Sequence, residues 1–463
     1  MIRVKNIDAV KSGTKLYQNF SWEIFDNENW VITGRNGSGK TLLLEALAGI
    51  LHLPKGVIEY DFITGQTWDE RYAERRKKIT YVPAHALHTF LNGSHELFYQ
   101  QRYYGLGDEK IPTVAEVLGN SLKRLSDLNI PSSLSIVPLL DLEVTRLSNG
   151  QLKKVLLIKS FLKATPNLLL LDYPFEGLDY ESREDLCKFI DFISTNYGVQ
   201  IILVDHHEHL PTVINRKLTL GKFFVENLEN FYSVGQPEFE FRQSPLKKKT
   251  DNEIIMIQNL QLRYGTRQIF SDFNWTVNRG DRWVLVGRNG TGKTTLFSMI
   301  FADHPMAYTQ EIFLFGRRRG TGESIWDIKR RINYLGPEQM SYLNIDGSFL
   351  SAREYVKSIN QKLNSVSLEN LVEYFQAQDF IDKPLRFLSS GELQLILIIN
   401  CFLSEKELLL LDEPFRFLDA VQKRRVTQYI LSHMKADTTL ILITHYKDDI
   451  PATHSLLFDT KIL

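Results

Sequence analysis

The residues best suited to chemistry in this chain are Gly287-Arg-Asn-Gly-Thr-Gly-Lys-Thr294. They fit the pattern G-x-x-x-x-G-K-[ST], a loop whose spacing suits a phosphate chain. Small residues, here Gly287, Asn289, Gly290, Thr291 and Gly292, let consecutive backbone N–H groups curl round a β-phosphate. Lys293 reaches the β and γ oxygens, Thr294 offers a hydroxyl to Mg²⁺, and the next helix aims its positive end at the phosphates. A second copy, Gly34-Arg-Asn-Gly-Ser-Gly-Lys-Thr41, supplies Gly34, Asn36, Gly37, Ser38, Gly39, Lys40 and Thr41 in the same roles. Each copy follows a strand-like run (Trp30–Thr33, Trp283–Val286) and opens a helix-like one (Leu42–Leu47, Thr295–Ile300).

Two further motifs follow each loop in the same order. Leu147-Ser-Asn-Gly-Gln151 and Leu388-Ser-Ser-Gly-Glu392 are polar turns that open a helix. Ser148 and Ser389 stand where an N-cap belongs, and Gly150 and Gly391 permit close approach, so each turn is expected to present a free hydroxyl and bare N–H groups to an anion. Next come four leucines and an aspartate, ending at Asp172 and at Asp412. A carboxylate at the end of a buried strand beside a phosphate loop orders Mg²⁺, usually through water. The copies part at the following residue. Glu413 is placed to polarise a water that attacks the γ-phosphate, whereas Tyr173, with an ordinary pKa of about 10, cannot serve as a base. Beyond a further strand-like run stand His206 and His445, each able to hydrogen-bond a γ-phosphate oxygen.

The elements that must position these groups are duplicated. Sliding the sequence by 253 positions brings Asn6 onto Asn259, Phe20 onto Phe273, Trp22 onto Trp275, Trp30 onto Trp283 and Tyr81 onto Tyr334. The offset then falls to 241 at Leu147 and Leu388, and to 239 at the two histidines. Such long-period similarity means two homologous domains, expected at 1–235 and 253–463 with a linker over 236–252. That connector mixes Pro245 with Lys247-Lys-Lys249 and reads as a solvated joint. Strand-like alternation opens each copy, as in Phe20–Ile24 and Phe273–Val277. Helical stretches fill the middle, roughly 88–145 and 340–386, and buried runs such as Ile201–Val204 and Leu440–Thr444 close it. Strands alternating with helices argue for an α/β fold with a mostly parallel sheet in each copy.

Composition excludes several classes. Lys+Arg and Asp+Glu balance at 55 each, so no global positive field draws nucleic acid or anionic lipid to the chain. Cys187 and Cys401 lie far apart without metal-ligand spacing and are expected to be packed thiols in a reducing compartment. No apolar run reaches the length of a membrane span, and the first ten residues carry charges where a signal peptide needs an apolar stretch. The expectation is a cytoplasmic protein, peripheral on the inner face of a membrane if a partner holds it there.

The order of phosphate loop, Leu-Ser-x-Gly-Gln/Glu signature, Leu-Leu-Leu-Leu-Asp strand, Leu-Asp turn (Leu178-Asp179, Leu418-Asp419) and histidine resembles the ATP-binding cassette (ABC) superfamily, twice over. More narrowly, Leu314–Lys329 is similar to the ModF type of tandem ATP-binding proteins associated with molybdate transport. The resemblance implies two phosphate-loop nucleotide-binding domains in tandem, each with an α/β core, an antiparallel β subdomain and a helical subdomain. It implies ATP and Mg²⁺ as ligands. It also implies head-to-tail pairing of the two cassettes, so that each site joins one phosphate loop to the other cassette's signature. By matching position, one site combines Lys40, Thr41, Asp172, Tyr173 and His206 with Ser389 and Gly391. The other combines Lys293, Thr294, Asp412, Glu413 and His445 with Ser148 and Gly150. Thr41 and Asp172, and Thr294 and Asp412, are the metal pairs. Tyr264 matches the aromatic that stacks on adenine, where the first copy has Lys11. The family's Mg²⁺-contacting glutamine is Ala84 in the first copy and Pro337, followed by Glu338, in the second, which departs from conventional coupling to a permease.

Both departures at the nucleotide fall on the first copy, so hydrolysis is expected mainly at the site of Glu413. The leading functional expectation is an ATPase that energises transport through a separate integral membrane permease, with molybdate as the inherited cargo. The alternative is a soluble tandem ATPase acting on ribosomes or nucleic acid. Such proteins carry a long charged arm between cassettes, which the short connector does not supply. Arg317, Arg318 and Arg319 read either as a solvated basic hairpin or as a functional one.

Overall fold

The structure is a computed structural model that describes residues 1–11, 14–84, 112–125, 128–144, 147, 149–163, 165–206, 209–221, 224–227, 252–264, 267–337, 339, 349–360, 365–404, 406–444 and 454–458. The chain divides into two compact units, Met1–Gly235 and Gln236–Leu463. Of the expected connector only Asn252 lies among the described residues.

In the first unit β1 (Ile2–Lys11) and β2 (Thr14–Ile24) form a hairpin, followed by β3 (Trp30–Gly34) and helix α1 (Lys40–Ala48). Then come β4 (Lys55–Tyr60), α2 (Trp68–Lys78) and β5 (Ile79–Val82). A helical segment includes α3 (Val114–Leu118) and leads to α4 (Asn149–Lys163). The unit closes with β6 (Leu168–Asp172), α5 (Tyr180–Tyr197), β7 (Gln200–Val204), β8 (Arg216–Leu220) and β9 (Phe224–Asn227). Two sheets result: an antiparallel one ordered β2-β1-β4, and one ordered β5-β6-β7-β3-β8-β9, in which only the edge strand β9 runs antiparallel.

The second unit repeats this plan. Its elements are β10 (Glu253–Tyr264), β11 (Arg267–Asn278), β12 (Arg282–Gly287), α6 (Lys293–Ile300), β13 (Glu311–Leu314), β14 (Arg317–Arg318), α7 (Ile325–Lys329) and β15 (Ile332–Leu335). They continue with α8 (Ala352–Ile359), α9 (Ser365–Tyr374), α10 (Ser390–Leu403), β16 (Leu408–Asp412), α11 (Ala420–Ser432), β17 (Thr439–Ile443) and β18 (His454–Phe458). The antiparallel sheet runs β11-β10-β13-β14 and the parallel one β15-β16-β17-β12-β18.

The parallel strands read as unbroken apolar runs because helices cover both faces of the sheet. Every residue of β6, β7, β16 and β17 is buried. The same aromatic device joins the two sheets in both units. Trp22 of β2 meets Trp30 of β3 edge to face at 4.9 Å, and Trp275 of β11 meets Trp283 of β12 at 5.4 Å. Such a pair contributes about 1 kcal/mol beyond the area it buries and sets the strand that carries each phosphate loop against the antiparallel sheet.

Cys187 and Cys401 are buried free thiols, both pushed up to about 12 by burial. Among the described residues no helix is long and apolar enough to cross a membrane. The three hairpin arginines divide: Arg317 and Arg318 are exposed, but Arg319 is buried, pairs with Glu323 at 2.9 Å and lies over the Tyr308 ring. The solvated reading therefore fails for Arg319, which braces the turn instead.

Candidate functional site

Strand order brings the site together. In the first unit β7 lies between β6 and β3, and in the second β17 lies between β16 and β12. The carboxyl ends of three adjacent parallel strands thus carry the phosphate loop, the aspartate and, in the first unit, His206 to one edge of one sheet. Ligands bind at that edge in open α/β folds.

Each phosphate loop turns into its helix through a left-handed glycine, Gly39 at φ 90° and Gly292 at φ 98°. A Cβ on Gly292 would stand 2.6 Å from the Ile269 side chain, so only glycine fits both the conformation and the space. Lys40 and Lys293 are buried and fold back over their own loops. Lys40 Nζ donates to the carbonyls of Gly34 and Arg35 at 2.9 and 2.8 Å. Lys293 Nζ donates to those of Gly287 and Arg288, both at 2.7 Å. Each ammonium is therefore held by two carbonyls of its own loop, placed to exchange them for phosphate oxygens.

The paired metal candidates touch. Thr41 Oγ1 donates to Asp172 at 3.0 Å, and Thr294 Oγ1 donates to Asp412 at 2.7 Å. Burial pushes the Asp172 carboxyl up to about 6, against the Thr41 hydroxyl, which holds it down. Among the described residues no group of three or more His, Cys, Asp or Glu could hold a metal alone. One hydroxyl and one carboxylate per unit are hard oxygen donors that fit Mg²⁺ carried in with phosphate oxygens and water, and do not fit an all-protein cage.

Past the aspartate the backbone of both units enters the left-handed region, Tyr173 at φ 48° and Glu413 at φ 51°. Non-glycine residues there cost about 1 kcal/mol or more and cluster at functional sites. The frame is the same in both: Tyr173 N–H donates to Val204 O at 3.0 Å and Glu413 N–H to Ile443 O at 2.9 Å. Tyr173 is buried and its hydroxyl lies 2.9 Å from Nε2 of His206. Lys153 Nζ donates to the carbonyls of Tyr173, Pro174 and Glu176 at 3.4, 3.0 and 2.6 Å. Its matched residue, Gln394, donates to Pro414 O at 3.0 Å. These two clamps tie the signature helices α4 and α10 to the turn after the aspartate. Sequence reading missed them, although the self-alignment that pairs the signatures also pairs Lys153 with Gln394. Ala84, Lys153, Asp172 and Tyr173 line a cavity of about 30 Å³, room for about one water.

The signature turns differ from expectation in two respects. Ser389 caps α10 in a capping box: its hydroxyl accepts from Glu392 N at 3.3 Å while the Glu392 carboxylate accepts from Ser389 N at 2.7 Å. Its oxygen is engaged in the cap, not free, and its proton remains to donate. Gly150 is small because Ser182 is close, not only to admit a ligand: a Cβ there would lie 2.4 Å from Ser182 Cβ. Asp179 and Asp419 cap α5 and α11 through Ser182 N at 2.8 Å and Gln422 N at 2.9 Å. Ser148, Glu338, His445 and the side chain of Tyr264 lie outside the described residues.

A glycine-lined amide loop, a buried lysine and a hydroxyl–carboxylate pair at the end of a parallel sheet define a nucleoside-triphosphate-binding protein of the phosphate-loop class, present twice. A family model described as ABC transporter matches residues 17–176 and 270–416, more than half of the chain, and the chain belongs to that family of ATP-binding proteins. It is 29% identical to the ABC transporter ATP-binding protein ModF of Escherichia coli over 96% of this chain and 94% of that one. It is 28% identical to an uncharacterized ABC transporter ATP-binding protein of Schizosaccharomyces pombe, over 97% and 96%. A model of ribosome-bound archaeal Pelota and ABCE1 covers 94% of this chain and 72% of that chain with a TM-score of 0.60 at 20% identity. The archaeal ribosome recycling factor aABCE1, solved with the stalk protein aP1, covers 90% and 80% with a TM-score of 0.53 at 19% identity. At those identities the likeness is one of fold.

Proposed function

We propose that this chain is a tandem ATPase whose units pair head to tail on two Mg²⁺–ATP molecules, with hydrolysis confined mainly to the site of Glu413. Lys40 and Lys293 bind the triphosphates. Thr41 with Asp172, and Thr294 with Asp412, hold the Mg²⁺ that neutralises phosphate charge. Ser389 and Gly391, and Ser148 and Gly150, complete the opposite sites, and Tyr264 stacks on adenine. At the second site Glu413 takes the proton of the attacking water and His445 donates to the γ-phosphate. The observation that carries this reading is the matched pair of strand-end turns, one bearing a carboxylate and the other a phenol on the same backbone frame.

We further propose that hydrolysis energises transport through a separate membrane permease, with molybdate the first cargo to try. Similarity to ModF along nearly the whole of both chains supports that reading. Ala84 and Pro337 in place of the family's glutamine leave any coupling to run through other residues. Affinity purification of the tagged chain from gently solubilised membranes is the test. A co-purifying integral membrane protein that stimulates ATPase activity supports transport. Ribosomal particles in its place would overturn it in favour of the soluble alternative.

A further inference from the structure

We propose that the turn between β14 and α7 is a contact for an anionic bilayer, where Ile325 and Trp326 enter the headgroup region and Arg317 and Arg318 engage lipid phosphates. The proposal goes beyond the transport reading, because it needs neither a permease nor a cargo.

The turn is rigid at its centre. Arg319 is buried and pairs with Glu323 at 2.9 Å. The same carboxylate accepts from Gly320 N at 2.7 Å and from Thr321 N at 3.0 Å. Gly320 and Gly322 supply left-handed backbone, at φ 83° and 94°. A buried ion pair adds little net stability, so its effect here is to fix the shape of the turn. Arg317 Nη2 donates to Thr321 O at 3.1 Å, which lays its guanidinium against the same turn. Ser324 then opens α7 by accepting from Trp326 N at 3.2 Å.

On that fixed frame Trp326 is 68% exposed and Ile325 39% exposed, and Arg317 and Arg318 are exposed at the other end of the turn. Tyr308, whose ring lies under the Arg319 guanidinium at 4.8 Å, is 45% exposed as well. The first unit has no such hairpin: residues 61–67, between β4 and α2, hold neither a strand nor an arginine.

The residue types favour lipid. Tryptophan and tyrosine settle at the boundary between headgroups and water, and arginine binds phosphate with a planar fork. A nucleic acid would use ring faces, but Ile325 has none and Arg319 covers one face of Tyr308. The chain's charges balance at 55 each, so the attraction has to be local, acting within a Debye length of about 8 Å at physiological salt. Asp327, the exposed carboxylate of α7, is paired with Arg330 at 3.3 Å and does not cancel the hairpin arginines. Two cations and a ring without an acyl chain give weak, reversible binding.

The test is flotation of the purified full chain with vesicles of phosphatidylcholine, alone or with about one third of the anionic lipid phosphatidylglycerol. The chain should float with the anionic vesicles and not with the neutral ones, and less as salt rises. Arg318→Ser should weaken the partition about fivefold, the value of one cation at an anionic surface. Trp326→Ser should weaken it about tenfold, the value of a partly buried ring, and Trp326→Tyr should keep most of it. Arg424→Ser removes the same charge from α11, which packs in a separate core of the unit, and should change the partition by no more than about twofold. Thermal melts confirm that each variant is folded. No flotation, equal flotation with both vesicles, or equal losses in Arg318→Ser and Arg424→Ser overturn the proposal. So does tighter binding of oligouridylate than of anionic vesicles, abolished by Trp326→Ser, which would make the patch a nucleic-acid site. Because no permease is present, the transport reading stands or falls separately, on the co-purifying protein.

Discussion

The hydroxyl of Tyr173 lies 2.9 Å from Nε2 of His206, across the end of a sheet where the second unit carries Glu413. A residue of left-handed backbone, pinned by its N–H to the neighbouring strand, presents a phenol at the strand end of the first unit and a carboxylate at that of the second. The two units share a scaffold and differ in the functional group at this position, so their sites are expected to behave differently.

Turnover should follow the carboxylate. Glu413→Gln is expected to lower steady-state ATP hydrolysis by about 10²–10⁴-fold, the contribution of a positioned base, and to leave ATP binding intact. Tyr173→Phe should keep turnover within about twofold. Phosphate release and equilibrium binding check both. Equal silencing by the two substitutions would refute the asymmetry.

Lys153 should matter to the fold of the first unit. Lys153→Ala removes an ammonium shared among three backbone carbonyls and leaves those oxygens half-buried without it, costing about 1–3 kcal/mol. Urea denaturation reports the loss. Lys153→Gln, which imitates the second unit, should recover part of it, because the amide of Gln394 serves a single carbonyl.

Crowding at Gly150 predicts a paired effect. Gly150→Ala places a methyl 2.4 Å from Ser182 Cβ and should destabilise the first unit by about 1–3 kcal/mol, as overpacking does. Ser182→Gly in the same chain should restore most of the midpoint. An undiminished loss in the double variant would show that the neighbour is not the cause.

Acid should loosen the second unit through Glu407. Hydrogen bonds from Arg331 and then from Arg279 lower its carboxyl from 4.5 to about 2. A carboxylate lowered in the folded state stabilises fully above its unfolded pKa, and loses that contribution as pH falls from about 4.5 through about 2. The pair is partly exposed, so screening limits it to about 1 kcal/mol. Urea midpoints of the native chain and Glu407→Gln should differ at pH 7 and draw closer at pH 3.

The sequence alone determined the duplication, the α/β class and the phosphate loops. Those features are local: a glycine pattern needs only its own backbone, and LLLLD reads as a buried strand wherever it occurs. It also exposed the exchange of Glu413 for Tyr173, because self-alignment compares residue types position by position. Only the tertiary structure decided what Tyr173 does, since a hydrogen bond to a residue 33 positions away depends on β6 and β7 lying side by side. The same holds for Lys153, whose carbonyl partners come from the next strand's turn, for the Ser182 that explains Gly150, and for Arg319, which composition reads as solvated and packing buries. Side-chain chemistry is written in the chain, but partners distant in sequence are assigned only when strand order sets them at contact distance.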